Sequence, residues 1–237
     1  NAGSNTAKLI KNNYIKDAVI ISSKHKDIKT KADFAAHDCL NKELSKTGIP
    51  VISEESEHDS FDNDKKQWII DPIDGTLNFS RGYKMAAISI ALWEKGAPIL
   101  GVIHNLFNDE VFYSYKNKGA WLNNNKIKVS TIKNISDAIL VTGFPSGSNH
   151  ETNTLNQFVK NIQNYKKLRM LGSAALMLSF VASGIFDVYI EKDIYIWDIA
   201  AGLAIVSEAG GTYLMEPGSS MLKYNVKVSN KFLTKKI

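Results

Sequence analysis

The stretch at residues 68–79, WIIDPIDGTLNF, carries the residues of this chain best suited to chemistry. Its apolar start predicts a strand that ends at Asp71, followed by a proline turn that leads to Asp74. Both carboxylates would then lie at the edge of a sheet, where loops often carry functional residues. Two close carboxylates repel each other unless a cation lies between them, and Mg²⁺ prefers oxygen ligands. Gly75 and Thr76 are expected to begin a helix whose N–H groups suit a phosphate oxygen. The stretch therefore predicts a site for a hard cation and a phosphate group.

Further acidic segments supply candidate partners, although each has an ordinary structural explanation. Glu54 and Glu55 follow an apolar segment but also fit a solvated loop. Asp198 opens an apolar helix and Asp33 closes the segment DIKTKAD, and both fit helix N-terminal caps. The pattern D-P-x-D-G also fits a surface turn when taken alone. Their occurrence together and in this order favours one shared site.

The ordered segments resemble the inositol monophosphatase family, the magnesium-dependent, lithium-sensitive sugar and polyol phosphatases of the fructose-1,6-bisphosphatase superfamily. The matching segments are D-x-x-T-x-x-D at 27–33, EES at 54–56, DPIDGT-x-NF at 71–79, GSAAL at 172–176 and WDIAAGLAIVSEAGG at 197–211. The resemblance spans nearly the whole chain. Ser53, Lys84 and residues 193–196 depart from the pattern, which places substrate specificity in question more than catalysis.

The resemblance implies an α/β (α+β) fold, a layered αβαβα sandwich that usually forms a homodimer. Residues 5–237 are expected to form one domain, with an N-terminal α+β lobe (about 5–135) and a C-terminal α/β lobe (about 136–237). The sequence pattern agrees, because residues 86–129 read as an antiparallel meander and the second half alternates between helix and strand. Apolar spacing also predicts a helix over residues 7–23, and residues 1–4 are set aside as foreign to the fold.

The metal ligands come from the resemblance. It implies two or three Mg²⁺ ions held by the side chains of Glu54, Asp71, Asp74 and Asp198 and by the backbone carbonyl of Ile73. Two such ions can activate a water molecule and stabilise the leaving alkoxide.

The catalytic and substrate contacts also come from the resemblance. Thr76 and Asp33 are implied as the pair that activates water. The implied substrate contacts are Asp74, Gly75, Thr76, Gly172, Ser173, Ala174, Glu191 and Asp198. The basic loop from Lys24 to Lys31 is a further candidate for phosphate contact.

The expected activity is hydrolysis of a phosphorylated polyol or sugar, with inositol monophosphate as the leading substrate. Fructose bisphosphate, for which Arg169 could bind the distant phosphate, and histidinol phosphate are alternatives. Adenosine 3′,5′-bisphosphate is disfavoured, because enzymes for it usually carry lysine and glutamate where this chain has residues 77–79, LNF. A non-catalytic regulatory protein that binds RNA machinery is the alternative from another class. The complete set of implied ligands argues against it.

Composition limits the remaining possibilities. The net charge is +5, but the lysines are scattered and no basic stripe is interleaved with aromatic residues. Nucleic acid is therefore not expected as the main partner. No apolar run approaches about 18 residues, so no membrane span is expected. Cys39 is the only cysteine, which excludes an internal disulfide and favours a buried thiol in a cytoplasmic protein.

Overall fold

The computed structural model describes residues 2–15, 19–24, 27–56, 61–144 and 151–237. The helices are α1 Ala2–Asn13, α2 Lys31–Leu44, α3 Thr76–Ser80, α4 Thr152–Ile162, α5 Ala174–Ala182 and α6 Ile196–Glu208. The strands are β1 Ile20–Lys24, β2 Asp27–Thr30, β3 Val51–Ser53, β4 Gln67–Asp74, β5 Ala87–Glu94, β6 Ala97–Asn105, β7 Val111–Tyr115, β8 Ala120–Leu122, β9 Asn125–Ile127, β10 Ile139–Val141, β11 Lys167–Arg169, β12 Val188–Tyr195, β13 Gly211–Pro217 and β14 Lys223–Asn230. Two residues of the expected basic loop, 25–26, lie outside the described residues.

The larger sheet follows the chain in the order β3-β4-β5-β6-β7-β8-β9. Only β3 and β4 run parallel; the later pairs are antiparallel, as expected for a meander. Strand β5, AISIALWE, is buried at all positions but the last. A strand can bury both sets of alternating side chains only when both faces of its sheet are covered.

The smaller sheet has the order β11-β10-β12-β14-β13. The pairs of β10 with β11 and with β12 are parallel, whereas β14 is antiparallel to both of its neighbours. Strand β14 was not predicted from the sequence, although it lies second from the edge of the sheet. A short β1–β2 hairpin forms a third, two-stranded sheet.

Helices lie in three layers around the two large sheets. Helices α1 and α2 cover the outer face of the seven-stranded sheet, and α5 and α6 fill the space between the sheets. Helix α6 is apolar around most of its circumference because both of its sides face a sheet. Helix α4 lies outside the five-stranded sheet and has no buried residue. The expected αβαβα sandwich is confirmed.

Two expectations for the N-terminal region are wrong. Helix α1 begins at Ala2, so residues 2–4 belong to the fold, and it ends at Asn13 instead of continuing to residue 23. Asn12 and Asn13 are poor helix formers, and Ile20 and Ile21 are β-branched residues that favour strand β1. No helix within the described residues is long and apolar enough to cross a membrane.

Candidate active site: a cluster of buried carboxylates

The chain between Asp71 and Asp74 is a bulged strand and not the expected proline turn. Strand β4 runs through Pro72, and its pairing register with β5 shifts between Asp71 and Asp74. Side chains three residues apart in a regular strand point to opposite faces, and a bulge re-aims one of them. Carboxylate oxygens of Asp71, Asp74 and Asp198 lie within 4.8 Å of one another. Asp198 comes from the first turn of α6, so two distant segments build one acidic triad.

Asp74 is held by the first turn of α5. The Ser173 hydroxyl and the Ala175 N–H (2.9 Å) donate to its Oδ2, and the Ala174 N–H donates to Oδ1 (3.2 Å). The Ser173 side chain is also the N-cap of this helix, accepting from the Leu176 N–H. Burial raises the pKa of Asp74 to about 6, while these hydrogen bonds act in the opposite direction. Donors at a helix N-terminus thus fix a carboxylate in the interior.

Asp71 is fully buried, and its pKa lies well above the ordinary value. Burial is the main cause, followed by the negative charges of Glu54, Asp74 and Asp198. Its Oδ1 accepts from the Ile73 N–H at 3.0 Å. The carboxylates of Glu54 and Asp71 lie close enough for each to affect the pKa of the other.

Glu54 and Asp198 share this electrostatic setting. Burial and the charge of Glu55 raise the pKa of Glu54 to about 8. Burial, then the charges of Glu54, Asp74 and Glu191, raises the pKa of Asp198. Neighbouring acids in a low-dielectric interior oppose each other's ionisation. A cation placed among these oxygens would remove the repulsion.

Asp33 and Thr76 are in direct contact beside this cluster. The Thr76 hydroxyl lies 2.9 Å from Asp33 Oδ1 and 2.9 Å from the Ile73 carbonyl oxygen. Asp33 Oδ2 accepts from the Thr30 N–H (2.7 Å) and the Thr30 hydroxyl (2.5 Å), which completes a capping box at the start of α2. Burial raises the pKa of Asp33, although the hydrogen bonds from Thr30 and Thr76 oppose it. Asp33 therefore both caps helix α2 and contacts Thr76 beside the acid cluster.

Glu191 lies on β12, close enough to the cluster for its charge to affect the pKa of Asp198. Its Oε2 accepts from the Tyr189 hydroxyl (2.8 Å) and from the Gly143 N–H (3.0 Å). Burial raises its pKa to about 7, and the charge of Asp74 adds to this shift. A Cβ on Gly143 would lie 2.2 Å from Glu191 Oε1, so glycine is required for this approach.

Asn78 holds two parts of the site together, and sequence reasoning assigned it no role. Its Nδ2 donates to the carbonyl oxygens of Leu171 (2.8 Å), Met85 (2.9 Å) and Gly172 (3.1 Å). Gly75 lies beside it with φ of 88°, and a Cβ there would be 2.7 Å from the Met85 carbonyl oxygen. The amide within the motif DPIDGT-x-NF was the available signal, because a buried amide joins segments through several hydrogen bonds.

The loop that carries Glu54 is held by the β1–β2 hairpin and by α2. Lys29 Nζ lies 2.7 Å from Glu55 Oε2, and the Glu55 side chain is 2% exposed. The Ser53 hydroxyl lies 2.8 Å from His37 Nδ1 and accepts weakly from the Glu55 N–H. Ser53, one of the departures from the family pattern, thus helps to fix the acidic loop.

The sequence-derived site residues fall into three groups. Those that converge on the acid cluster are Asp33, Glu54, Asp71, Ile73, Asp74, Thr76, Glu191 and Asp198. Ser173 and Ala174 direct donors to Asp74, Gly172 lies against Asn78, and Gly75 lies against the carbonyl oxygens of Met85 and Gly172. Arg169, the candidate for a distant phosphate, is exposed on β11 and donates to the Leu168 carbonyl. Cys39 is half-buried on α2, less than expected.

Comparisons with known proteins agree with this geometry. A family model described as the inositol monophosphatase family matches residues 1–237. An inositol-1-monophosphatase of Mesorhizobium japonicum is 36% identical over 200 residues, covering 83% of this chain and 75% of the relative. Nus factor SuhB of Escherichia coli is 37% identical over 216 residues, covering 89% of this chain and 80% of the relative. The solved structure of a Thermotoga maritima IMPase aligns with a TM-score of 0.83 at 31% identity, covering 99% of this chain and 91% of that one.

Proposed function

Because this chain belongs to the inositol monophosphatase family and is a phosphatase, we propose that it hydrolyses a phosphorylated polyol, with inositol monophosphate as the leading substrate. The observation that carries the proposal is the convergence of Asp71, Asp74 and Asp198 within 4.8 Å. The hydrogen-bonded pair of Asp33 and Thr76 lies next to it.

The donor set fits a divalent cation. The family is metal-dependent, and the triad offers only carboxylate oxygens, which are the ligands that Mg²⁺ prefers. We assign Mg²⁺ to Asp71, Asp74, Asp198, Glu54 and the carbonyl oxygen of Ile73, as two or three ions. When bound, Mg²⁺ supplies charge stabilisation and a lowered pKa for a coordinated water.

Thr76 and Asp33 orient and deprotonate the attacking water in this proposal. The Thr76 hydroxyl donates to Asp33 Oδ1, and its oxygen keeps lone pairs that accept a hydrogen bond from water. Because burial raises the pKa of Asp33, its carboxylate is a stronger base than an exposed aspartate. The capping box holds Asp33 in place on α2, so little reorganisation is needed during the reaction.

Glu191 is assigned to the hydroxyl groups of the leaving alcohol, together with Asp74 and Asp198. Its Oε2 already accepts hydrogen bonds from the Tyr189 hydroxyl and the Gly143 N–H, and we infer that these bonds orient the carboxylate toward the acid cluster. A site built to bind hydroxyls discriminates well against compounds that lack them. Gly75, Thr76, Gly172, Ser173 and Ala174 complete the proposed substrate contacts.

Other activities on this scaffold rest on fewer observations. Fructose-1,6-bisphosphatase activity needs a cation for the second phosphate, and Arg169 is available on the exposed edge strand β11. Histidinol-phosphatase activity remains an alternative. A regulatory role is motivated by the E. coli relative named Nus factor SuhB, and it is compatible with catalysis. We also propose a cytoplasmic homodimer with one domain over residues 5–237, lobes dividing near residue 135, and sensitivity to lithium.

A phosphate-release assay with Mg²⁺ tests the proposal. The substrates are inositol 1-phosphate, fructose 1,6-bisphosphate, histidinol phosphate and glycerol 2-phosphate, each with and without a chelator and lithium. We expect Mg²⁺-dependent release that is fastest with inositol 1-phosphate. The absence of release from every ester, in a protein that shows a cooperative melting transition, would overturn the proposal.

A further inference from the structure

Glu54 differs from the other acids of the cluster in how its backbone is supported. It directly follows β3, a three-residue strand at the edge of the seven-stranded sheet. Its N–H donates to the Ile70 carbonyl oxygen at 3.3 Å, which is a long hydrogen bond. Asp71 and Asp74, in contrast, belong to the eight-residue strand β4, which pairs with a strand on each side. The position of Glu54 therefore depends on contacts made by the loop itself.

Ser53 joins this loop to helix α2. Its side chain is fully buried, and its hydroxyl lies 2.8 Å from His37 Nδ1. The same hydroxyl oxygen accepts weakly from the Glu55 N–H, at 3.4 Å. A hydroxyl can donate to an imidazole nitrogen while its oxygen accepts from an N–H. The Ser53 hydroxyl thus connects the residues on both sides of Glu54 to α2.

His37 shares one face of α2 with Asp33. The two residues are four apart, so their side chains lie about one helical turn from each other. Asp33 Oδ1 accepts from the Thr76 hydroxyl at 2.9 Å, and His37 contacts Ser53. Helix α2 is anchored in the apolar core by its buried residues. One face of an anchored helix therefore holds both the segment that carries Thr76 and the loop that carries Glu54.

Electrostatic repulsion makes support of this loop important. Burial and then the charge of Glu55 raise the pKa of Glu54 to about 8. After burial, the charge of Glu54 adds to the raised pKa of Asp71 and of Asp198. Lys29, whose Nζ lies 2.7 Å from Glu55 Oε2, lowers the pKa of Glu54, but by less than burial and Glu55 raise it. Like charges in the interior push the loop away from the cluster when no cation lies between them.

We propose that His37 and Ser53 are positioning residues for Glu54, and that their contact sets the affinity of the acid cluster for its divalent cation. The inference rests on the assignment of Mg²⁺ to this cluster in the proposed function. The contact holds the Glu54 carboxylate near Asp71 before the ion binds, so less ordering of the loop is needed on binding. The pair acts through Glu54 and takes no part in the transfer of the phosphoryl group.

Substitutions that remove either half of the contact test the proposal. Ser53→Ala removes the hydroxyl, and His37→Phe keeps a ring but removes Nδ1. His37→Asn places an amide group where Nδ1 stood and can restore the contact. Ser45→Ala is the matched control, because its hydroxyl donates to Asn41 Oδ1 at the exposed C-terminal end of α2.

The direct readout is the binding of Mn²⁺ to the full chain without substrate, measured by electron paramagnetic resonance. Ser53→Ala and His37→Phe should each raise the dissociation constant about 10-fold, as other residues that orient metal ligands do. The double variant should bind no more weakly than either single variant, because both substitutions remove the same contact. His37→Asn and Ser45→Ala should bind Mn²⁺ nearly as tightly as wild type.

Kinetics separate positioning from chemistry. The Mg²⁺ concentration that gives half of the maximal rate should rise about 10-fold in Ser53→Ala and His37→Phe, whereas kcat at saturating Mg²⁺ should stay close to wild type. A merely structural contact would instead lower the melting temperature of the metal-free protein and leave the Mn²⁺ dissociation constant unchanged, and that result overturns the inference. If Ser53→Ala shows no cooperative melting, His37→Phe decides, and Mn²⁺ affinity equal to that of wild type in this variant overturns the inference as well.

Failure of this inference can be distinguished from failure of the phosphatase proposal. Weakened Mn²⁺ binding in Ser53→Ala and His37→Phe, with no phosphate release from any ester by the wild type, would support the positioning role and refute the hydrolytic function. Release from inositol 1-phosphate, with Mn²⁺ affinity unaltered by the substitutions, would refute the positioning role alone. A wild-type chain that binds no Mn²⁺ would refute both.

Discussion

The acid cluster and a cavity of about 380 Å³ between α4 and strands β10 and β12 meet at Glu191, but they are built in different ways. Segments distant in the chain supply the cluster, and buried hydrogen bonds from Thr30, Ser173 and Ile73 fix its carboxylates. One helix without a buried residue, α4, supplies half of the residues that line the cavity. The difference indicates that the buried interior holds the carboxylates in fixed positions, whereas side chains that line the cavity can change without disturbing the core.

The strongest test of this comparison is Asp71→Asn. Loss of this carboxylate should lower kcat/KM for every substrate by at least about 10³-fold, equivalent to about 4 kcal/mol of transition-state stabilisation. The metal-free variant should unfold at the same or a higher temperature than wild type, because one source of repulsion in the cluster is removed. Kinetics and thermal melting check both expectations.

The matched control for this substitution is Asp64→Asn, an exposed aspartate outside the cluster. It should leave both kcat/KM and the melting temperature near wild type. A nearly normal rate for Asp71→Asn would contradict the proposal that the reaction takes place at the acid cluster.

Thr76→Val should have the next largest effect. Valine keeps the shape of threonine but removes the hydroxyl that bonds Asp33, so kcat should fall about 10²- to 10⁴-fold for every ester that the enzyme hydrolyses. Thr76→Ser keeps the hydroxyl and should retain most of the rate. A kcat for Thr76→Val close to that of the wild type would contradict the role given to this hydroxyl.

The dependence of stability on pH gives an intermediate test. The pKa of Glu54 rises from 4.5 to about 8 on folding, so between these values the folded protein holds a proton that the unfolded chain has lost. The free energy of unfolding of the metal-free protein should therefore fall as the pH rises through this window. Mg²⁺ competes with that proton, so its stabilising effect should grow over the same range.

Melting curves with and without millimolar Mg²⁺, recorded between about pH 5 and pH 8, measure this effect. Asp71→Asn should weaken the shift caused by Mg²⁺. A shift of equal size at both ends of the range would show that these carboxylates do not bind the ion.

Ser173→Ala should produce the smallest change. It removes the N-cap of α5 and one hydrogen bond to Asp74, and should lower the free energy of unfolding by about 1–2 kcal/mol in urea titration. Ser183→Ala at the other end of the helix is the control, because its hydroxyl bonds only carbonyl oxygens of the last turn and makes no contact with Asp74. Equal decreases in the free energy of unfolding of the two variants would mean that the hydrogen bond from Ser173 to Asp74 does not contribute to stability.

Much of the fold followed from sequence patterns. Alternating apolar residues predicted the meander of β5 to β9, and the expected helix starts near Asp33 and Asp198 correspond to α2 and α6. The N-terminal helix was misplaced because its spacing continued past Asn13, where pairing of β1 with β2 overrides the helical pattern. Strand β14 was missed although Tyr224, Val226 and Val228 alternate with polar residues, as in a strand with one buried face. One of its partners, β13, precedes it directly in the chain, and the other, β12, lies beyond α6.

The sequence by itself predicted, through its resemblance to the family, which residues would form the site. Asp33, Glu54, Asp71, Asp74, Thr76 and Asp198 stand in an order and spacing that predicts one shared site. Only the tertiary structure decided how they meet: the bulge in β4 re-aims a carboxylate, the first turn of α5 anchors Asp74, and α4 leaves a cavity beside Glu191. Residue types fix local chemistry and local propensity, whereas distances between segments far apart in the chain depend on how the layers pack, which no local pattern encodes.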